Sequence, residues 1–416
     1  MPGVELKTGG VVPAPPCPVR EGCVDDVGLG SGGSTTPPLP LREGVGGRGD
    51  PPPVSAAIPL PPTPTHKGRG GSAGADRTRS AFVQGIGTTH QRYLVTGGAG
   101  YVGSHLVAML CDLGHAVTVF DNLRTGHRAA VPSGVPFILA DLSDVAALDA
   151  VLADGPWDAV FHFAALSQVG ESMRVPLTYL TENAANGMRL IEACVRHGVG
   201  KFVLSSTAAL FNTPGDAPIP EDAPIDPQSP YGDSKWMIER ALLWASRAHG
   251  LRSACLRYFN AAGADPEGRL GEDHRPESHL IPLVIDAALG RRAGLEVYGD
   301  DYPTADGTCI RDYVHVTDLA TAHLLAVEHL DGGDVVWNLG NGAGHSVRAV
   351  IEAVERVSGR RVPWRVAPRR PGDAAVLVAS SDRARAPGWE PRFAALDEIV
   401  RSAFAWRERH PDGYGG

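Results

Sequence analysis

From Gln91 onward, short apolar runs alternate with longer amphipathic stretches. Tyr93-Leu94-Val95-Thr96 is the first run, and a glycine-rich turn follows it. A helical stretch then carries His105, Leu106, Ala108, Met109 and Leu110. Further runs lie at 116–120, 137–139, 159–163, 201–204 and 253–256, with the clearest helical patterns at 177–197 and 236–249. Continuous apolar strands separated by helices are buried on both faces. The pattern therefore predicts an α/β, Rossmann-like, doubly wound parallel sheet. After about residue 260 the pattern becomes mixed and richer in loops, which suits a smaller mixed α/β C-terminal domain covering the substrate. There is no internal repeat.

Composition adds a boundary. About a third of residues 1–90 are Gly or Pro, with runs such as Pro51-Pro52-Pro53 and Gly68-Arg69-Gly70-Gly71. Such a segment has too few bulky apolar groups to offset the entropy of ordering, so a disordered tail is expected there. It reads as a docking tail or linker, as a plain spacer, or as an upstream stretch included by a misplaced start codon. The expected organisation is a tail over 1–90, a nucleotide-binding domain over 91–260 and a substrate domain over 261–416. Segments near 308–340 return to the first domain.

Charge and cysteine content narrow the function. The 416 residues carry a net charge of −9. That argues against a nucleic-acid partner, which needs a basic stripe. The six cysteines form no Cys-x-x-Cys pair, so neither a disulfide framework nor a zinc site is expected, and no metal is assigned. No apolar run approaches the roughly 18 residues of a membrane span, and the first residues lack a secretory signal pattern. A soluble cytoplasmic protein without a membrane partner is the expectation.

The chemistry enters through two motifs. The first is Thr96-Gly97-Gly98-Ala99-Gly100-Tyr101-Val102-Gly103, between a strand and a helix. Glycines there let the backbone approach a pyrophosphate, whose charge then faces the helix N-terminus. An acid about 20 residues on should bind ribose hydroxyls, and Asp121 closes the second strand. A carboxylate there repels a 2′-phosphate, which favours NAD over NADP, although Arg124 stands close by. Asp141, after the third strand, reads either as an adenine contact or as a helix N-cap.

The second motif is Tyr231-Gly232-Asp233-Ser234-Lys235, which puts a phenol and an ammonium on one helix face. A free tyrosine ionises near pH 10 and is a poor base at neutrality. A neighbouring ammonium and a positive nicotinamide ring both favour the phenolate. A three-unit drop corresponds to roughly 4 kcal/mol. Thr207, ending the strand Ser205-Ser206-Thr207, puts a hydroxyl where ligands bind in open α/β sheets, or else caps the strand end. Together the motifs indicate redox chemistry at a hydroxyl group.

These residues resemble the extended short-chain dehydrogenase/reductase superfamily and, within it, the UDP-glucose (UDP-galactose) 4-epimerase family. The resemblance runs from about Tyr93 to about Tyr414. Besides the two motifs it rests on Asp121-Asn122-Leu123, His162-Phe163-Ala164-Ala165, Val169-Gly170-Glu171-Ser172 and Leu256-Arg257-Tyr258-Phe259-Asn260. Gly271-Glu272-Asp273, Gly299-Asp300-Asp301-Tyr302-Pro303-Thr304, Arg311-Asp312-Tyr313-Val314-His315 and Pro368-Arg369-Arg370-Pro371-Gly372-Asp373 complete it.

The resemblance implies Tyr231 as base, Lys235 as the ribose-binding, pKa-lowering lysine, and Thr207 as the hydroxyl on the sugar 4-OH. It places NAD against Gly97, Gly100, Tyr101, Val102, Gly103, Asp121, Asn122, Asp141, Leu142, Phe163, Ala164, Ala165, Asn183, Ser205 and Tyr258, besides Tyr231 and Lys235. It places a UDP-sugar against Asn260, His279, Leu280, Tyr298, Arg311, Arg370 and Asp373. Paired guanidiniums suit a diphosphate. Arg311, judged on its neighbours alone, reads equally well as a surface ion pair with Asp312 or Asp318. Homodimers built through helices flanking the sheet are usual in the family.

The implied reaction is reversible inversion at C4 of UDP-glucose and UDP-galactose through a 4-keto sugar, part of galactose metabolism. Three positions depart from the family pattern. Phe211-Asn212 replaces a frequent Tyr-Gly, Ser167 replaces a lysine of some members, and Leu377 is neither the small nor the large residue that gates N-acetylated sugars. A non-acetylated sugar is favoured. Rival readings are a UDP-glucuronate or UDP-N-acetylhexosamine epimerase, and a non-catalytic NAD-sensing regulator, which typically lacks the Tyr–Lys pair. Ala208-Ala209 after Thr207 argues against a 4,6-dehydratase, which needs an acid pair there.

Overall fold

A computed structural model describes residues 90–415 except 213, 214, 216, 371 and 372. The tail expected over 1–90 thus lies, apart from His90, outside the described residues. Helices of eight or more residues are numbered here. The first half runs β1 (Arg92–Thr96), α1 (Tyr101–Asp112), β2 (Ala116–Asp121), β3 (Phe137–Leu139), α2 (Val145–Ala153), β4 (Ala159–His162), α3 (Asn186–Arg196), β5 (Lys201–Thr207), α4 (Pro230–His249) and β6 (Arg252–Tyr258). The second half runs β7 (Asn260–Ala262), α5 (Leu280–Ala288), β8 (Leu295–Tyr298), β9 (Ile310–His315), α6 (Val316–His329), β10 (Val335–Leu339), β11 (Gly344–Ser346), α7 (Val347–Ser358), β12 (Trp364–Ala367), β13 (Val376–Leu377) and α8 (Leu396–Arg409).

Seven strands form one parallel sheet in the order β10-β6-β5-β4-β1-β2-β3. The strand residues alternate between two cores. Val95, Val119, Phe161 and Val203 pack on the face covered by α1 and α6. Leu94, Phe120, Val160 and Phe202 pack on the opposite face, under α2, α3 and α4. Each such side chain, fully buried, stabilises the fold by about 1.5–3 kcal/mol. The chain leaves β1 in one direction for β2 and β3, then crosses to the other side for β4. The switch between β1 and β4 opens a crevice at the carboxyl ends of the strands, where ligands bind in such sheets.

The helical pattern at 177–197 is not one straight α-helix. A short turn (Pro176–Tyr179) leads into a π-helical stretch (Leu180–Ala185) before α3 begins. The buried Asn183 lies in that widened stretch and bonds sideways to Leu166 and Ser234.

The second half builds a four-stranded sheet, with β9 between β11 and β13 and β7 also on β9, and a two-stranded sheet of β12 and β8. Helices α5, α7 and α8 share a third core around Ile285, Val350, Val354, Ile399 and Val400. Within the stretch near 308–340, α6 packs on the large sheet and β10 extends it by pairing with β6. By contrast, β9 stays in the smaller sheet because β7, β11 and β13 pair with it.

Candidate active site

The turn after β1 is shaped by steric limits. Gly97 has φ +73, and a Cβ there would lie 2.3 Å from the Ala164 nitrogen. Only glycine lets the turn run so close to the end of β4. The turn opens α1 with Gly100 as its N-cap and no side-chain cap, so the first helical N–H groups face the crevice. Asp121, at the end of β2, is buried. Its Oδ2 accepts from the Ala99 N–H at 3.0 Å and its Oδ1 from the Leu123 N–H at 2.8 Å. Burial raises its pKa while these two N–H groups pull it back. Each oxygen keeps a lone pair for a hydroxyl donor. Arg124 lines the same end of the cavity and pairs with Glu182 at 3.5 Å.

Asp141 is not the helix N-cap. Asp144 is, accepting from the Ala147 N–H at 3.0 Å. Asp141 instead accepts from Ser143 and from the Asn122 amide at 2.6 Å, and the Ser143 hydroxyl foremost holds its pKa low. This arrangement fixes Asn122 and Asp141 side by side at one end of the crevice.

The proton-transfer group is set by the start of α4. Ser229 caps the helix, accepting from the Gly232 N–H at 3.2 Å, and Pro230 occupies the first turn, where its missing N–H costs nothing. A Cβ on Gly232 would lie 2.4 Å from the Ala209 carbonyl oxygen. That close approach brings Tyr231 to the end of β5, where the Thr207 hydroxyl lies near enough to favour ionisation of the phenol. Thr207 also accepts from the Ala209 N–H at 3.1 Å, so it caps its strand end and meets the phenol at once. Lys235 is buried and donates to the Ser205 carbonyl at 2.8 Å. Burial lowers its pKa to about 8, and Glu239 opposes that drop. Glu239 itself pairs in the interior with Arg257 at 2.6 Å.

One expectation is altered here. Burial pushes the Tyr231 hydroxyl above its ordinary value, and the neighbouring Thr207 hydroxyl only partly offsets this. The chain's own groups therefore do not make a phenolate near neutrality. The positive charge of a nicotinamide, when bound, would favour the phenolate.

Asn183 lines the crevice, but its amide is engaged by the chain. It accepts from the Leu166 N–H at 2.8 Å and donates to the Leu166 carbonyl at 2.9 Å and to Ser234 at 3.0 Å. The Ser205 and Tyr258 hydroxyls bond each other beneath the same floor.

At the other end, Arg370 lies over the Tyr298 ring with 3.9 Å between guanidinium carbon and ring centre. Arg311 is 3.6 Å from Asp373 and donates to the carbonyls of Ile310 and Ala374. The alternative ion pairs do not form. Asp312 accepts from the N–H groups of Asn341, Gly342 and Ala379, and Asp318 from those of Arg392 and Phe393.

One cavity of about 1770 Å³ connects all of this. It is lined by every residue singled out in the sequence for catalysis, cofactor or substrate, from Gly97 and Asp121 through Tyr231 and Lys235 to Arg311, Arg370 and Asp373, and it reaches Asn260, His279, Leu280, Phe211, Ser167 and Leu377 as well. Glu272, His274, Glu277, Arg292 and Trp364 also line it and were not singled out. The spacing Glu272-x-His274-x-x-Glu277-x-His279 was the available signal for three of them.

The model of the NAD dependent epimerase/dehydratase family matches residues 93–340. The chain belongs to that family. Among its relatives, the UDP-glucose 4-epimerase of Halalkalibacterium halodurans is 50% identical over 324 residues, covering 77% of this chain and 97% of that protein. The crystal structure of UDP-glucose 4-epimerase from Brucella ovis in complex with NAD is 44% identical, covers 76% of this chain and 98% of its own, and superposes with a TM-score of 0.73. The corresponding enzyme from Bifidobacterium longum, in complex with NAD+ and UDP, is 36% identical over 77% of this chain and 99% of its own, with a TM-score of 0.74. The cavity of this family member has the two-ended form that a dinucleotide and a nucleotide-sugar require. An acid-ended crevice lies at one side, an arginine-lined chamber at the other, and the phenol of Tyr231 lines the same cavity.

Proposed function

We propose that this protein interconverts UDP-glucose and UDP-galactose by inverting C4, with NAD bound throughout. The observation that carries the reading is the Thr207–Tyr231–Lys235 arrangement, lining a cavity that also holds Asp121 and Arg370. The residues present fit NAD. The Gly97 turn leaves room for a pyrophosphate, and the two Asp121 oxygens keep lone pairs for ribose hydroxyls. NAD, when bound, supplies a reversible redox partner for the sugar carbon.

The chain's residues supply the rest. Tyr231 takes the proton from the sugar 4-hydroxyl and later returns it to the same C4 oxygen, after the 4-keto sugar has turned its other face. General base work of this kind is typically worth about 10²–10⁴-fold. Thr207 orients the 4-hydroxyl toward the phenol. Arg311 and Arg370 hold the diphosphate, and Tyr298 with Asn260 supports the nucleotide end. That binding stays constant while the hexose turns, so attachment is concentrated on UDP and not on the sugar. His279 and Leu280 lie at the start of α5, beside the same chamber.

In this reading residues 91–260 hold NAD and 261–416 mainly hold the UDP-sugar. Leu377 lines the cavity and leaves less room than a small residue would, which favours a non-acetylated hexose. The finer assignment to a homodimer draws support from one surface. Met188 on α3 and Met237, Leu243 and Trp244 on α4 are exposed, and Trp244 is 59% exposed beside a shallow groove formed with Ile191 and Val195. Among the described residues no helix is long and apolar enough to cross a membrane. A cytoplasmic location accords with the free thiols of Cys111, Cys194, Cys255 and Cys309.

The test is to supply UDP-galactose, UDP-N-acetylglucosamine and UDP-glucuronate side by side. The reading expects UDP-galactose to give UDP-glucose without net NADH. Stoichiometric NADH would indicate a dehydrogenase, and conversion of UDP-glucuronate alone would move the assignment to that substrate.

A further inference from the structure

We infer that Glu272, His274, Glu277 and His279 form a binding site for one zinc-type divalent metal ion. The four lie within one turn-rich segment that runs from β7 to the first residue before α5. One ligand atom from each lies within 4.8 Å of the other three. Both imidazoles turn Nδ1 toward the same carboxylate oxygen, Glu272 Oε1. His274 is 3.2 Å from it, and His279 is in closer contact. Glu277 joins the same group, its Oε1 3.7 Å from His274 Nδ1.

An ion-paired quartet does not account for Glu277. Its Oε1 accepts from the N–H groups of Ser278 and His279, at 2.8 and 2.9 Å. Its Oε2 is buried and has no partner, and the side chain is only 8% exposed. A carboxylate oxygen sealed from water without a donor is destabilising unless something positive meets it. Arg407, the neighbouring cation, is engaged elsewhere. It grips both Asp286 oxygens at 2.6 Å and otherwise reaches only the Glu272 carbonyl.

The donor set selects the ion. Two imidazole nitrogens with two carboxylate oxygens suit zinc or another late first-row ion, whereas calcium and magnesium take oxygen ligands. Tetrahedral zinc, with bonds of about 2.0–2.2 Å, places its ligand atoms about 3.4 Å apart. The most widely spaced of the four ligand atoms therefore need to draw in by about 1 Å on binding, while His279 and Glu272, already in contact, need to part to admit the ion. His279, with a side chain 46% exposed, has the freedom to do so. All four residues line the large cavity, which provides the entry path. The inference concerns these side chains alone and does not depend on which sugar nucleotide the cavity takes.

The experiment is calorimetric titration of the untagged, full-length protein with Zn²⁺, alongside Glu277→Gln and His274→Gln. One ion per chain is expected. Removing a ligand should weaken binding at least as much as removing an outer-shell partner does, about tenfold or more. Absence of saturable binding, or stoichiometric binding unchanged in both variants, overturns the inference. Should the variants not fold, anomalous diffraction from zinc-soaked wild-type crystals decides. A peak among the four side chains supports the site, and a peak only elsewhere, or none, overturns it.

Discussion

The Lys235 ammonium donates to the carbonyl of Ser205 at 2.8 Å, tying the first turns of α4 to the last residues of β5. The same tie fixes the helix turn that carries Tyr231 against the strand that ends in Thr207. The lowered pKa of Lys235, about 8, sets a sign. As pH rises through that value the ammonium is lost, and with it the charged donor that ties α4 to β5. Turnover of the wild type should therefore decline above about pH 8, and Lys235→Met should lower turnover about a hundredfold and remove that decline. An identical alkaline limb in wild type and variant would separate Lys235 from the proton transfer.

Tyr231→Phe keeps the ring and deletes the hydroxyl. The expected loss of turnover is about 10²–10⁴-fold, with NAD still bound when the protein is isolated. Steady-state assay with cofactor quantification after denaturation checks both halves. Near-normal turnover would take the phenol out of its role.

Glycines in the turn divide by what surrounds them. A Cβ at Gly103 would lie 2.2 Å from the Gly97 oxygen, whereas one at Gly100 meets nothing closer than that same oxygen at 3.3 Å. Gly103→Ala should lower thermal stability, because backbone must shift. Gly100→Ala should fold normally yet hold NAD more weakly, because the added methyl occupies the lining of the cavity. Melting curves with and without added NAD distinguish the two. Equal behaviour would contradict the placement of the pyrophosphate.

Asp312 provides a pH test of the fold. Burial raises its pKa to about 6, even though three backbone N–H groups pull it back. A raised carboxyl contributes stability that is present below its unfolded value of about 4 and lost as pH rises through the folded one. Relative to Asp312→Asn, the wild type should thus gain stability as pH falls from 6.5 to 4, by up to about 3 kcal/mol. Urea unfolding of both proteins across that range measures it. A constant or shrinking difference would refute the assignment.

Trp244→Glu places a charge on the exposed apolar surface of α3 and α4. Sedimentation should show a dimer for the wild type and a monomer for the variant, and an unchanged mass would remove this face from the interface.

Local signals made much of this legible. The run Tyr93 to Thr96, the glycine turn and Asp121 are contiguous and each obeys a short-range rule, so strand, turn, helix and strand followed directly. The strands at 201–204 and 253–256 proved longer, as β5 and β6, because they continue past the apolar run into polar residues, of which Ser205, Thr207 and Tyr258 line the cavity. That segments near 308–340 return to the first domain was expected, but which strand β10 would join was not legible. Its residues 335–339 are a short apolar run whose place beside β6 depends on a non-local crossover. The π-helical stretch at Asn183 was hidden for a similar reason, since its bonds to Leu166 and Ser234 are tertiary. Asp141 was ambiguous because Asp144, three residues on, is an equally good cap. The Glu272 cluster is hidden from a reading of cysteine spacing because its four donors are imidazoles and carboxylates.

The central claim is that hydrogen leaves C4 and returns to the same carbon from the other side. The most direct measurement supplies UDP-galactose deuterated at C4 and examines the UDP-glucose formed. The account predicts product with deuterium retained at C4 and no accumulation of NADH. Product carrying solvent hydrogen at C4 would contradict it.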